Sequence, residues 1–213
     1  MKRIFYTLKK NCNMQSFIKI IKQNKLISLF IFFLLMGMVF GALSAKNASS
    51  SIIESLDFLF ASNFKNRETQ SMFTTFIASL NSLFIFVFFI FLLGLCMFGV
   101  VVIPASLFFR GFGLGITAGF LYSMYGAKGI LFHLIVILPG VFLSSIAIII
   151  EAKESLIFCS RLISKVLPKA PPEKLWPYFK TYLIKTGYIF IIITICAALD
   201  MLLNSIFAHL FSF

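Results

Sequence analysis

Long apolar runs separated by short polar clusters dominate the chain, and strand-like alternation plays little part in it. Leu26 to Ala45 is uncharged over 20 residues, between Lys25 and Lys46. A helix of about that length crosses a hydrocarbon core roughly 30 Å thick. Thr69 to Phe109 then runs 41 residues without a charge, about 60 Å as helix and too long for one crossing. Its first third is polar (Thr69, Gln70, Ser71, Thr74, Thr75, Asn81, Ser82). The second span is therefore placed at 83–103, ended by Pro104, which a continuing helix accommodates poorly. A third span is read at 107–125, with Arg110 in its first turn. The turn Tyr125-Gly126-Ala127-Lys128-Gly129 leads into a fourth at 130–150, and the fifth, 186–207, is interrupted only by Asp200. The expected fold is all-α: a polytopic integral membrane protein with five transmembrane helices, forming a single membrane domain over 1–213.

Composition agrees with that pattern. The chain is 60% hydrophobic and only 12% charged, with mean hydropathy +1.01, which excludes an ordinary soluble domain and a disordered chain. The 29 Phe read as lipid-facing bulk together with the codon bias of an AT-rich genome. A net charge of +12 raises nucleic-acid binding, so the positions of the cations decide. With the N-terminus in the cytoplasm, the inner segments 1–25, 104–110 and 151–185 carry 15 Lys and Arg, and the outer segments 46–82 and 126–129 carry 4. That asymmetry is the positive-inside bias. It predicts N-in, C-out, with the lipid bilayer and not a nucleic acid as the partner of the charge. A cleaved signal peptide is the rival reading of residues 1–45. The 20-residue run exceeds the usual apolar region and 25 residues precede it, so the first span is expected to stay.

Between the spans, the outer segment 46–82 holds a candidate docking helix. Ser51 and Glu54 have capping-box spacing, and Ile53, Leu56, Phe60 and Phe64 share one helical stripe. Such a helix lies in the interface as a connector or serves as a docking surface for an external partner. The inner segment 151–185 begins amphipathic, with Leu156, Cys159, Leu162, Ile163 and Val166 opposite Lys153, Glu154, Arg161 and Lys165. It is stopped by Pro168, Pro171 and Pro172. Trp176, Tyr178, Tyr182 and Tyr188 with Lys180 and Lys185 read as an interfacial belt, or as a contact for a cytoplasmic partner.

Two features within the spans stand out. Gly111, Gly115 and Gly119 recur at every fourth residue, as do Gly37 and Gly41. A nucleotide loop is excluded, since no strand precedes the run. As helix, the glycines form strips that let another helix approach closely, either within the chain or in a homo-oligomer. Asp200 is the only acid inside a span, about 21 Å along the helix counted from Thr186, near the expected level of His133 and Lys128. A charge at that depth is costly, and Asp200 is predicted to pair with Lys128 or His133.

Site chemistry is otherwise sparse. The four Cys (Cys12, Cys96, Cys159, Cys196) show no CxxC, and the two His no metal spacing. Cys96 and Cys196 read as packing residues. No HExxH, GxSxG or Walker arrangement appears. The chain is expected to be no enzyme, with no cofactor and no metal.

Several short motifs resemble a known family. Phe40-Gly41-Ala42 closes the first span. Phe108-Phe109-Arg110-Gly111 precedes the Gly-rich run to Gly119 and Phe120-Leu121, Leu138-Pro139 lies in the fourth span, and Asp200 in the last. In this order and spacing they resemble stage II sporulation protein M, a five-span membrane family, over nearly the whole chain. Many relatives place a His and a Glu after that proline, where this chain has Gly140 and Ser144, so a role of that pair does not carry over. The resemblance implies a non-enzymatic scaffold in the mother-cell membrane at the sporulation septum. It would recruit peptidoglycan-degrading partners, stage II sporulation proteins D and P, during engulfment. A permease-like subunit working with a cytoplasmic ATPase is the alternative.

Overall fold

The computed structural model describes residues 25–46, 72–166 and 175–207. The described residues are all-helical apart from turns: α1 (Lys25–Lys46), α2 (Met72–Leu95), α3 (Gly99–Phe132), a π-helical turn (His133–Ile137), α4 (Leu138–Val166) and α5 (Trp176–Phe207). The docking stripe Ile53, Leu56, Phe60 and Phe64 lies outside the described residues.

Among the described residues, four helical stretches are long and apolar enough to cross a membrane, Lys25–Lys46, Phe76–Leu95, Gly99–Lys165 and Trp176–Leu203. The third has 67 residues, about 100 Å if it were straight. It is not straight. Gly126 has φ 55° and ψ −132°, a backbone conformation that costs an L side chain steric strain and a glycine little. The chain folds back there, so that Arg110 before the bend meets Ser144 after it. Leu121, Phe132 and Val136 close a small apolar cluster beside the bend. The third and fourth expected spans are thus joined by a bent helical hairpin with no loop.

Side-chain pairings give the helix directions. Leu34 lies at Gly111 and Met38 at Gly115, so α1 and α3 run parallel. Phe91 meets Tyr182 and Phe84 meets Phe190, so α2 and α5 are antiparallel. Glu154 meets Lys185 and Gly140 meets Asp200, so α4 and α5 are antiparallel too. Hence α1, α3 and α5 point one way, and α2 and α4 the other. The core is apolar, from Phe30 and Leu34 through Val87, Ile90, Ile103 and Leu107 to Ile148, Ile189 and Ile193. Large side chains such as Phe32, Val39, Phe88, Phe109 and Ile191 stay exposed. Outward apolar bulk of this kind suits a hydrocarbon solvent.

Several boundaries differ from those read off the sequence. The helix holding the second span begins at Met72, because Phe76 and Leu80 pack against the core despite their polar neighbours. It ends at Leu95, ahead of Pro104, which lies inside α3. The break is a tight turn: the Cys96 N–H donates to Leu93 O, and the Gly99 N–H to Cys96 O, each at 3.1 Å. A Cβ at Gly99 would overlap the Leu93 carbonyl oxygen, so the turn requires glycine. The Cys159 thiol donates to the Cys96 carbonyl at 2.9 Å, tying α4 to it. Cys96 itself is exposed and not packed, whereas Cys196 is buried. Finally, α5 starts ten residues before the expected fifth span, with Pro177 in its first turn, where a missing N–H costs least.

Candidate functional site

The glycine strips face each other. A Cβ on Gly37 would overlap the Phe108 carbonyl oxygen, and one on Gly41 that of Phe112. Gly111 and Gly115 stand in the same relation to Leu34 and Met38 on α1. Gly119 would meet the Ala45 Cβ at 2.8 Å. The strips on α1 and α3 interlock within one chain, backbone against backbone, and dispersion contacts accumulate along the seam.

Away from that seam, α2, α3, α4 and α5 enclose a cleft of about 530 Å³, lined by Ser79, Ser82, Arg110, Thr117, Ser144 and Asp200 among apolar neighbours. Arg110 Nη2 donates to Ser144 Oγ at 3.1 Å, and Ser144 Oγ donates to Val141 O at 3.0 Å. The guanidinium lies over the Phe86 ring, 5.1 Å from its centroid, and Asp200 attracts it electrostatically. Arg110 Nε is buried without a hydrogen-bond partner. The Asp200 carboxylate occupies the space that a Cβ on Gly140 would fill. The two positions that depart from the resemblance, Gly140 and Ser144, therefore receive Asp200 and Arg110.

The structure brings Arg110 within electrostatic range of Asp200, a neighbour not anticipated alongside Lys128 or His133. The reason is the start of α3: from Gly99, Arg110 stands about 17 Å along the helix instead of in its first turn. Lys128 is exposed at the bend. His133 opens the π-helical turn, and its Nε2 is buried without a partner. That turn directly precedes Pro139, whose ring would clash with the carbonyl four residues back in a regular helix. Widening by one residue relieves the clash, and the Leu138 N–H reaches His133 O instead.

A second polar layer lies nearer the turn at Cys96, and the sequence reading did not find it. Glu151 is 0% exposed. Its Oε1 accepts from Thr186 Oγ1 at 3.0 Å and from Ser155 Oγ at 3.4 Å. The Tyr182 hydroxyl stands 2.8 Å from Ser155 Oγ and donates to Phe91 O at 3.0 Å. Gly94 makes room for this hydroxyl: an added Cβ would come within 2.5 Å of it. Glu151 Oε2 has no hydrogen-bond partner. The signal in the sequence was a matched spacing, Glu151 and Ser155 on one helix, Tyr182 and Thr186 on the next, each four apart and so on one face.

Chemically, the upper cleft offers a guanidinium, a carboxylate and several hydroxyls, enough to hold a polar group of either sign or to lock helices at depth. The lower layer binds α2, α4 and α5 together through the hydrogen bonds of Ser155, Tyr182 and Thr186, with Glu151 Oε2 left unpaired. A family model described as stage II sporulation protein M matches residues 15–200, which include all of these groups. No curated protein matches the chain, and neither does any solved structure.

Proposed function

Because the chain belongs to the stage II sporulation protein M family, we propose that it acts in sporulation as a non-enzymatic membrane scaffold. In this reading it recruits and anchors the septal peptidoglycan-degrading machinery, stage II sporulation proteins D and P, during engulfment. The family match over residues 15–200 carries the proposal. The chain crosses the cell membrane five times, N-in and C-out, with the bent hairpin at Gly126 as two crossings. The alternating helix directions support that count, and the excess of Lys and Arg in the inner segments supports the orientation. The glycine seam supports a rigid body, as a scaffold requires: sliding α1 along α3 would drive backbone into backbone. The outer segment 46–82 and the outer helix ends face the partners, whose wall substrate lies outside.

Deletion of the gene followed by membrane imaging of sporulating cells tests this reading. Arrested engulfment, with proteins D and P lost from the septum, is the expected result. Normal engulfment removes the scaffold.

A second reading rests on the cleft at Arg110 and Asp200, a polar cavity at depth in an apolar bundle. A permease-like subunit driven by a cytoplasmic ATPase would use such a cavity as its solute path. ATP-dependent flux in proteoliposomes, abolished by Asp200→Asn, would favour it over the scaffold.

A further inference from the structure

Beyond their apolar sections, α4 and α5 continue side by side and enclose a second cleft of about 470 Å³. Its polar lining is Lys153, Glu154, Arg161, Thr181 and Lys185, three cations against one carboxylate. Lys185 Nζ bridges Glu154 Oε2 at 2.7 Å, which uses one of its three ammonium donors and leaves the others for a second oxyanion. The Arg161 guanidinium stacks on the Tyr178 ring at 4.2 Å. Stacking engages the face of the guanidinium and leaves its N–H donors, which lie in the plane, for an oxyanion.

We infer that this cleft binds the phosphate of an anionic phospholipid headgroup. Three observations favour a lipid over a soluble anion or an acidic protein segment. The cleft sits where the apolar run of α4 gives way to charges, and on α5 at Lys185, the last cation before the apolar section. Its wall includes Ile157 and Phe158, a surface for the glycerol and upper acyl carbons. One turn along the same face of α4, Ile150 is exposed, apolar ground on which a chain would lie, with Trp176 exposed at the start of α5 as an interfacial anchor. Arg161 and Lys185 hold the phosphate, and Tyr178 holds Arg161. The site needs a membrane boundary but no particular sidedness, so it stands apart from the scaffold reading.

Native mass spectrometry of the full-length chain, released from mild detergent, measures this directly. Phosphatidylglycerol and phosphatidylcholine of identical acyl chains are titrated separately, with inorganic phosphate and glycerol 3-phosphate as competitors. Phosphatidylglycerol is expected to bind at least about tenfold tighter than phosphatidylcholine, and Arg161→Ala and Lys185→Ala each to weaken it about fivefold. Arg161→Lys, which keeps the charge but loses the planar fork, falls between. An unchanged melting temperature of each variant confirms that the fold is intact, and a variant that melts early is replaced by Arg161→Gln or Lys185→Gln at the same position. Equal affinity for the two lipids, or full displacement by equimolar free phosphate, overturns the proposal. So does undiminished phosphatidylglycerol binding in the Arg161 and Lys185 variants, including any case in which they lose an acidic protein partner instead.

Discussion

Arg110 and Ser144 join the two arms of the hairpin that bends at Gly126, through a 3.1 Å hydrogen bond from Nη2 to Oγ. Asp200 reaches the same cleft from α5. Removing the cation takes away the hydrogen bond to Ser144 and an opposite charge that acts on Asp200, and a hydrogen bond to a charged group is worth about 1.5–3 kcal/mol. Arg110→Ala is expected to lower thermal stability in detergent sharply, and Arg110→Met with Asp200→Leu to recover most of the loss. A double-mutant cycle with no coupling would dissociate the two charges.

The seam between α1 and α3 makes a second prediction. Gly115→Leu drives a side chain into the Met38 carbonyl, and overpacking of this kind costs about 1–3 kcal/mol. Gly187→Ala is the control, since nothing lies within 4 Å of the added Cβ and alanine favours helix by roughly 1 kcal/mol. Melting temperatures should move in opposite directions for the two variants.

Tyr182 ties α2 to α4 and α5 through one hydroxyl. Tyr182→Phe keeps the ring stacked on Phe91 and Phe158 but strands the partners of that hydroxyl, a loss of about 1–3 kcal/mol. Ser155→Ala in the same background should cost much less than it does alone. Additive losses would show that the two hydroxyls act independently.

Sidedness is open to cysteine labelling. Lys128 and Ser164 are exposed at opposite ends of the hairpin, and Cys159 and Cys196 are buried. In a background with Cys12 and Cys96 replaced by Ser, Lys128→Cys is expected to react with a membrane-impermeant maleimide in intact protoplasts. Ser164→Cys should react only after permeabilisation. The reverse pattern would invert the proposed orientation.

Helix and membrane class were legible because apolar runs of membrane length have few other folded solutions. The glycine strips were legible because spacing of four already defines a face. The depth of Arg110 was not, since hydropathy suggested that Pro104 ended a span while packing put the break at Cys96–Gly99. A charge count treats Arg110 as an inner residue, yet it stands well inside α3. The Glu151 layer was hidden for a related reason. Each of its members looks like the ordinary polar margin of a span until α4 and α5 are set side by side.

The π-helical turn at His133–Ile137 is also a phase shifter. One surplus residue rotates everything after it by about 100° relative to an unbroken α-helix. That rotation aims Gly140 at Asp200 and Ser144 at Arg110. A chain shorter by one residue here would keep the same hydropathy profile and every polar group, yet turn another side of α4 to the cleft. Between two otherwise alike sequences, a single-residue gap in this stretch outweighs most substitutions in deciding whether the cleft exists.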